Sequence, residues 1–185
     1  MKRIWLLGIA LLLVGCGGKG RELDRAMALR SRLLNASRCS FRAEITADYG
    51  DRVHSFTMES LADENGELRF TVTQPDTIAG ITGRIGNSGG ELTFDDTALV
   101  FPLLADGELA PVSAPWLLLK TLRSGFLTSA GTEGELLRIT IDDRYEEDAL
   151  TADIWVNSEE CPVRAEFSWR GRSILTILVE DFRIE

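Results

Sequence analysis

The chain has 185 residues and a formal net charge of −9, because 29 acidic side chains outnumber 20 basic ones. This excess of negative charge argues against binding to nucleic-acid phosphates and against the domain lying flat on anionic lipid. The length and the 44% share of hydrophobic residues are sufficient for one domain with a substantial core.

The first sixteen residues have the pattern of an export signal. A basic start at Lys2 and Arg3 precedes an apolar run over residues 4–14, and Gly15 and Cys16 follow. The run is short for a membrane span, and a small residue at its end is typical of a signal-peptide cleavage site. An ordinary signal peptide with an incidental cysteine is the alternative interpretation.

Leu13-Val14-Gly15-Cys16 also resembles the lipobox of bacterial lipoproteins. The resemblance implies a diacylglyceryl thioether on Cys16 and cleavage before it. We therefore predict a signal peptide over residues 1–15, a lipidated Cys16 with a flexible tether to residue 20, and a single domain over residues 21–185. The lipid would hold the domain outside the cytoplasm, on the outer face of the cell membrane or on an outer membrane.

The predicted domain opens with a helix over residues 21–35, in which Leu23, Met27, Leu33 and Leu34 recur near helical spacing. No glycine or proline interrupts this segment. The pattern therefore favours an amphipathic helix before the first strand.

Three antiparallel strands are predicted next. Residues 41–49 alternate between apolar and polar side chains, the pattern of a half-buried strand. His54, Phe56 and Met58 share one face of the second strand, and Asn65-Gly66 favours a hairpin into a third strand that begins near residue 68.

The second half of the chain is predicted to contain one helix among further strands. Ser113 can cap this helix, Pro115 suits its first turn, residues 116–122 are mostly apolar, and Gly125 follows. Further strands are predicted over residues 92–94, 99–101, 136–141, 150–156, 163–169 and 174–184. Nine to eleven strands in about 140 residues must curl or split, which predicts a mainly β (α+β) fold with a curved antiparallel sheet covered by two helices.

Six short segments stand out by their order along the chain: Leu68-Arg69-Phe70-Thr71-Val72-Thr73-Gln74-Pro75, Gly90-Glu91-Leu92-Thr93-Phe94-Asp95-Asp96, Pro115-Trp116-Leu117-Leu118-Leu119, Ala152-Asp153-Ile154-Trp155-Val156, Cys161-Pro162-Val163-Arg164 and Leu178-Val179-Glu180-Asp181-Phe182. In this order, after an amino-terminal helix, they resemble the LolA/LolB superfamily of envelope lipoprotein carriers and acceptors. The resemblance implies an unclosed β-barrel with a helical lid over an apolar cavity that holds acyl chains. An anchored chain would be closer to the lipidated acceptor, or to lipidated LolA-like proteins that include a germination lipoprotein which activates a cell-wall amidase.

The mid-chain helix is more apolar than a surface helix needs to be. We predict that Trp116 and Leu119 lie on the wall of an apolar cavity between this helix and the sheet. The sheet side of the cavity is predicted to consist of Phe56, Met58, Phe70, Phe94 and Phe101. The alternative is that these side chains are simply the core.

Two cysteines remain after lipidation, Cys39 and Cys161. Outside the cytoplasm two such cysteines often pair, and closing so long a loop would contribute about 4–5 kcal/mol in the chain-entropy model. Because each precedes a predicted strand, the two can lie side by side. Two free thiols are the alternative.

The sequence contains no constellation typical of an enzyme. His54 is the only histidine, so a Ser/His/Asp or Cys/His hydrolase is not expected, and we predict that it lies on a strand surface. Residues 142–148 are acidic but lack the pattern of a calcium loop, which favours a solvated connection. Gly80, Gly83 and Gly86 do not form the Gly-x-Gly-x-x-Gly that cradles phosphates. We therefore predict no catalytic residue, metal, cofactor or nucleic-acid partner.

Two functions remain open. The half-barrel could bind an acyl chain or a lipoprotein for sorting or transport. Alternatively, it could be a non-enzymatic subunit that docks on and regulates an envelope or cell-wall enzyme.

Overall fold

The computed structural model of the protein describes residues 18–94, 97–101, 104–105, 108–144 and 149–185. The predicted signal peptide, Cys16 and the Asp95-Asp96 turn lie outside the described residues. Helix α1 spans Gly18–Asn35 and helix α2 spans Ala114–Ser124, which follows a 3₁₀ turn over Pro111–Ser113.

The strands are β1 Arg38–Asp48, β2 Val53–Asp63, β3 Leu68–Gln74, β4 Thr82–Gly86, β5 Gly89–Phe94, β6 Thr97–Phe101, β7 Leu104–Ala105, β8 Glu108–Leu109, β9 Phe126–Glu133, β10 Leu136–Asp142, β11 Leu150–Val156, β12 Pro162–Trp169 and β13 Arg172–Ile184. Eleven of them form one antiparallel sheet in the order β6-β5-β4-β3-β2-β1-β13-β12-β11-β10-β9, and β7 pairs with β8 separately.

The chain enters this sheet in its middle, at β1. It runs by successive pairings to the edge strand β6, passes through α2 to the opposite edge strand β9, and returns to β13 beside β1. There the Ser37 N–H donates to Glu185 O at 2.8 Å, which joins the two ends of the domain. Across the described ranges the two edge strands do not pair with each other, so the sheet is not closed. The predicted fold class, a curved antiparallel sheet with an amino-terminal and a mid-chain helix, is confirmed.

The β2–β3 hairpin forms where Asn65-Gly66 predicts it. Asp63 Oδ1 accepts hydrogen bonds from the Asn65 and Glu67 N–H groups at 2.9 and 3.0 Å. Gly66 has a φ of 80°, a conformation that costs glycine little because it has no Cβ. The register that follows buries Leu68, Phe70 and Val72, as the alternation of residues predicts.

Helix α1 differs from its prediction in two respects. It begins at Gly18, so it includes the glycines at 18 and 20 that the sequence assigns to a tether. Its buried side is the inner stripe, which we define as Ala26, Leu29 and Leu33. Of the four apolar residues whose spacing predicts this helix, only Leu33 is on the buried side, and Leu23, Met27 and Leu34 are exposed.

Strand β9 and the start of α2 also differ from expectation. The sequence does not predict β9, because the small and polar residues of Phe126–Glu133 show no alternation of apolar side chains. Ser113 occupies the N-cap position of α2, but its hydroxyl donates to Ala110 O at 2.6 Å instead of accepting from the helix. The predicted side-chain cap is therefore wrong.

One hydrophobic core lies between the helices and the inner face of the sheet, which we define as the face that packs on α1 and α2. Its fully buried side chains include Leu29, Leu33, Ile45, Met58, Leu68, Ile85, Leu118, Leu137, Ile139, Ile141, Ile154 and Phe167. Neither helix within the described ranges is both long enough and apolar enough to cross a bilayer.

Candidate functional site

Helix α2 fills the middle of the inner face. Eight of its eleven residues are buried, which is expected for a helix that is apolar on nearly all sides. Arg30 of α1 fixes its C-terminal end: Nε donates to Leu122 O at 2.7 Å and Nη2 donates to Gly125 O at 2.8 Å. The guanidinium thus satisfies carbonyl groups that the end of a helix leaves unpaired.

A cleft of about 210 Å³ lies between the C-terminal end of α1, helix α2 and the β2–β3 hairpin. Its apolar lining consists of Leu33, Leu34, Ala62, Leu68, Trp116 and Leu119. Its polar lining includes Glu64, Asn65, Asn87, Lys120, Arg123 and Ser124. All the apolar members except Leu34 are buried, whereas the polar members are exposed or half-buried, so the cleft has an apolar floor and a polar rim.

Trp116 is held in the wall of this cleft by two polar contacts. Its Nε1 donates to Gly66 O at 3.1 Å, which ties helix α2 to the hairpin. Lys120 Nζ lies 4.9 Å from the centre of the indole ring, within the range of a cation–π contact. Both contacts orient the indole without filling the cleft.

The rim of the cleft carries two cations on one side of α2. Arg123 Nε donates to Leu33 O at 3.2 Å, which holds the guanidinium against α1. Lys120 lies one helical turn away and is exposed. Within the described part of the chain neither cation pairs with a carboxylate, although Glu64 also lines the cleft.

The structure brings only some of the predicted cavity residues together. Trp116 and Leu119 both line the cleft. The buried Phe56, Met58 and Phe70 belong to the core and do not line it.

Phe94 and Phe101 belong to the β5–β6 edge of the sheet and do not line the cleft. Phe94 is 47% exposed, and the Phe101 ring packs over Gly90, where an added Cβ would lie 2.3 Å from it. These two phenylalanines are therefore outside the cleft that Trp116 and Leu119 form.

Sequence reasoning missed the contribution of α1 and the hairpin to the site. Leu33, Leu68 and Arg123 come from three separate elements, and their sequence separation gives no sign that they meet. The one available signal was the apolar pair Leu33-Leu34 at the end of α1, since an amphipathic helix does not need both.

A second, shallower groove of about 550 Å³ lies across β1, β2, β3 and β13. Side chains of the outer face of the sheet, which we define as the face opposite the helices, line this groove. Its side chains include Arg42, Glu59, Leu61, Arg69 and Arg183. In the described ranges Arg42 and Arg183 make no ion pair. Five of its eleven lining residues are charged and three more are polar, so this groove does not suit an acyl chain.

Cys39 and Cys161 both lie beside the end of β13. Cys39 is opposite Ile184 in the β1–β13 register, and Cys161 Sγ lies 3.8 Å from Phe182 O. Burial raises the pKa of the Cys39 thiol to about 12, and Cys161 contributes to the increase while Arg123 opposes it. Both cysteines are free thiols in this structure, and their pairing stays a prediction.

Two further features of the sequence are His54 and the acidic segment over residues 142–148. His54 is exposed on β2, as predicted. Asp142 and Asp143 accept hydrogen bonds from Thr151 and Leu150, while residues 145–148 lie outside the described residues. Within the described ranges no three His, Cys, Asp or Glu side chains cluster closely enough to hold a metal ion.

Comparison with known proteins identifies solved structures with a similar fold. No protein-family model matches the chain, and no curated protein sequence matches it. Similar solved structures include a DUF1329 family protein from Desulfovibrio piger, at 9% identity and a TM-score of 0.52 over 90% of this chain and 92% of that chain. An uncharacterized conserved protein from Thermus thermophilus is similar at 12% identity and a TM-score of 0.48, over 90% of this chain and 86% of that chain.

A LolA superfamily protein from Nitrosomonas europaea is similar at 10% identity and a TM-score of 0.47, over 86% of this chain and 93% of that chain. The TM-score exceeds 0.5 for the D. piger protein alone among these three. At 9% identity that likeness shows the fold alone, and the fold is the unclosed antiparallel half-barrel that the sequence resemblance to the LolA/LolB superfamily implied.

Proposed function

We propose that this protein is a membrane-anchored lipoprotein of the bacterial envelope whose half-barrel binds a hydrophobic ligand, an acyl chain or a lipoprotein, during sorting or transport. Lipid on Cys16 holds the domain at the membrane. The ligand enters the cleft beside α2. No catalytic step, metal or cofactor is part of this function.

The observation that supports the proposal most strongly is the apolar floor of the cleft. Leu33, Leu68 and Leu119 are buried there, and Leu34 is 61% exposed at its mouth. Pockets for whole ligands usually measure about 300–1,000 Å³. A cleft of about 210 Å³ therefore suits part of one acyl chain rather than several chains.

The ligand site is tested by Leu34→Gln, with Leu23→Gln as its matched control. Both leucines are exposed on α1, at 61% and 45%, but only Leu34 lines the cleft. Either substitution leaves the core intact because neither side chain is buried. The full-length proteins would be placed in nanodiscs of neutral phosphatidylcholine and exposed to a photoreactive palmitate analogue.

Wild type and Leu23→Gln are expected to crosslink at α2 and the β2–β3 hairpin, and Leu34→Gln is expected to crosslink much less. Equal crosslinking of the two variants, or none of the wild type, would contradict the proposed ligand site. Mass spectrometry of acyl chains that co-purify with the wild type gives an independent check.

The anchor is tested by Cys16→Ala. Loss of the thiol removes the only attachment point that the lipobox provides, so the variant should not incorporate labelled palmitate. A variant that still incorporates the label and still fractionates with membranes would place the anchor elsewhere.

The second candidate function is an interaction subunit that docks on an envelope enzyme. Two observations favour it: α2 already fills the inner face, and the outer-face groove offers Arg42 and Arg183 without ion-pair partners in the described ranges. Charged grooves of this kind suit protein partners better than lipid tails. This function would be preferred if the protein carried no acyl chain and if Arg42→Gln with Arg183→Gln abolished both the binding and the activation of one cell-wall enzyme.

A further inference from the structure

Helix α1 carries a second apolar stripe that the fold does not use. Leu23, Met27 and Leu34, which we call the outer stripe, are 45%, 48% and 61% exposed. Steps of four and seven residues place these side chains within about 40° of one another around the helix. Single exposed apolar residues are ordinary, but three aligned along one helix beside a separate buried stripe indicate a contact outside the domain.

We infer that the outer stripe docks on the surface of an anionic lipid bilayer. The inference rests on the lipid anchor proposed above and adds a second membrane contact to it. A single lipid-modified residue leaves the orientation of a domain free, whereas a docked helix fixes it.

The position of the anchor supports this orientation. Only Gly17 separates Cys16 from the first residue of α1. At 1.5 Å per residue, Leu34 lies about 24 Å along the helix from Gly18. A helix standing upright on the membrane would hold Leu34 far from the lipid, but a helix lying along the surface brings all three side chains of the outer stripe into the interface.

The net charge of the whole chain argues against the domain as a whole lying flat on anionic lipid, but the charge beside the outer stripe is positive. Arg21, Arg25 and Arg32 lie on the opposite side of α1, where Arg32 pairs with Glu160 at 3.1 Å. Arg30 lies within about 60° of all three residues of the outer stripe around the helix, and it pairs with no carboxylate among the described residues. Lys120 and Arg123, near Leu34 in the cleft, add two cations that lack carboxylate partners within the described residues. Negative lipid headgroups attract such a surface, while the acidity of the remaining chain favours exposure of the rest of the domain to water.

Leu34 belongs both to the outer stripe and to the cleft. Docking through the stripe therefore places the mouth of the cleft at the bilayer surface. An acyl chain can then pass between the bilayer and the apolar floor of the cleft without crossing water. Crossing water would cost free energy for every methylene group that becomes exposed.

The experiment uses the lipidated full-length protein in nanodiscs that contain phospholipids with a photoreactive acyl chain. One set of nanodiscs is made of phosphatidylglycerol and the other of neutral phosphatidylcholine. The test variant combines Leu23→Gln with Met27→Gln. The control variant combines Leu61→Gln with Leu178→Gln, which are 39% and 45% exposed on the outer face of the sheet.

In phosphatidylglycerol the crosslinks are expected within residues 23–34 of the wild type and of the control variant. They should fall in the test variant to the level seen in phosphatidylcholine. Crosslinks that concentrate on the outer face of the sheet, that persist in the test variant, or that are equal in the two lipids would overturn the inference.

The test also separates this inference from the proposed ligand binding. Leu23 and Met27 do not line the cleft. Crosslinking of the palmitate analogue in the cleft should therefore survive in the test variant even when its contact with the bilayer is lost.

Discussion

Gly83→Ala should destabilise the fold by overpacking, whereas Gly86→Ala in the same strand should not. A Cβ at Gly83 would lie 2.6 Å from Phe70 Cζ and 2.4 Å from Glu91 O, whereas a Cβ at Gly86 would have nothing within 4 Å. Phe70 is only 4% exposed, so its ring cannot swing into water to make room. The Glu91 carbonyl belongs to β5, which is paired with β4 and resists displacement.

The size of the effect follows from these distances. Carbon atoms normally approach to about 3.5–4.0 Å, so the Phe70 ring would have to move by about 1 Å. Overpacking of this kind costs about 1–3 kcal/mol. In a domain of this size each kcal/mol lowers Tm by about 2–4 °C, so we expect Tm to fall by about 2–12 °C in Gly83→Ala. Gly86→Ala should stay within about 0.5 kcal/mol of the wild type.

Equilibrium urea unfolding of the wild type and both variants, followed by far-ultraviolet circular dichroism, measures the difference. The same unfolding midpoint for Gly83→Ala and Gly86→Ala would refute the packing of Phe70 over Gly83. The cause can be checked in a Phe70→Leu background, in which the smaller side chain frees space. There Gly83→Ala should cost less than it does in the wild type.

Three further predictions concern the core, the link between the helices and the buried thiol. Leu118→Ala should lower the free energy of unfolding by about 2–5 kcal/mol because Leu118 is fully buried. Leu178→Ala, which truncates a side chain that is 45% exposed, should cost less than about 1 kcal/mol, and equal costs in urea unfolding would contradict the assignment of the core. Arg30→Met should cost about 1–3 kcal/mol because it leaves the Leu122 and Gly125 carbonyls without their charged donor. An unchanged urea midpoint would show that these hydrogen bonds contribute nothing. The pKa of the Cys39 thiol is about 12 in the folded protein against an ordinary value of 9.0, so the folded state keeps a proton that the unfolded state releases. The free energy of unfolding should therefore fall as pH rises from 9 towards 12, by up to about 1.4 kcal/mol per pH unit. Urea unfolding at pH 7 and pH 10 tests this: the wild type should lose more stability than Cys39→Ala, and equal losses would disprove the shift.

Several elements can be predicted from local patterns of residues alone. Strands β1 to β3 follow from an alternation with a period of two, which buries one face whatever the sheet packs against. The β2–β3 hairpin follows from Asn65-Gly66, because Gly66 readily adopts the positive φ that the turn requires. Helix α2 follows from Pro115 and the apolar run after it, and the strand count alone required a curved sheet.

Which of several similar apolar surfaces is buried depends on the packing of the whole domain. Helix α1 has two apolar stripes, and only its contacts with β9 and α2 select the inner one, so Leu23, Met27 and Leu34 remain exposed. Strand β9 forms because β10 provides its hydrogen-bond partners, although its own residues show no strand pattern. The cleft joins the end of α1, the β2–β3 hairpin and α2, which are distant in sequence. No local pattern could therefore show that Leu34, Gly66 and Trp116 surround the same space, because their proximity depends on the packing of the whole domain.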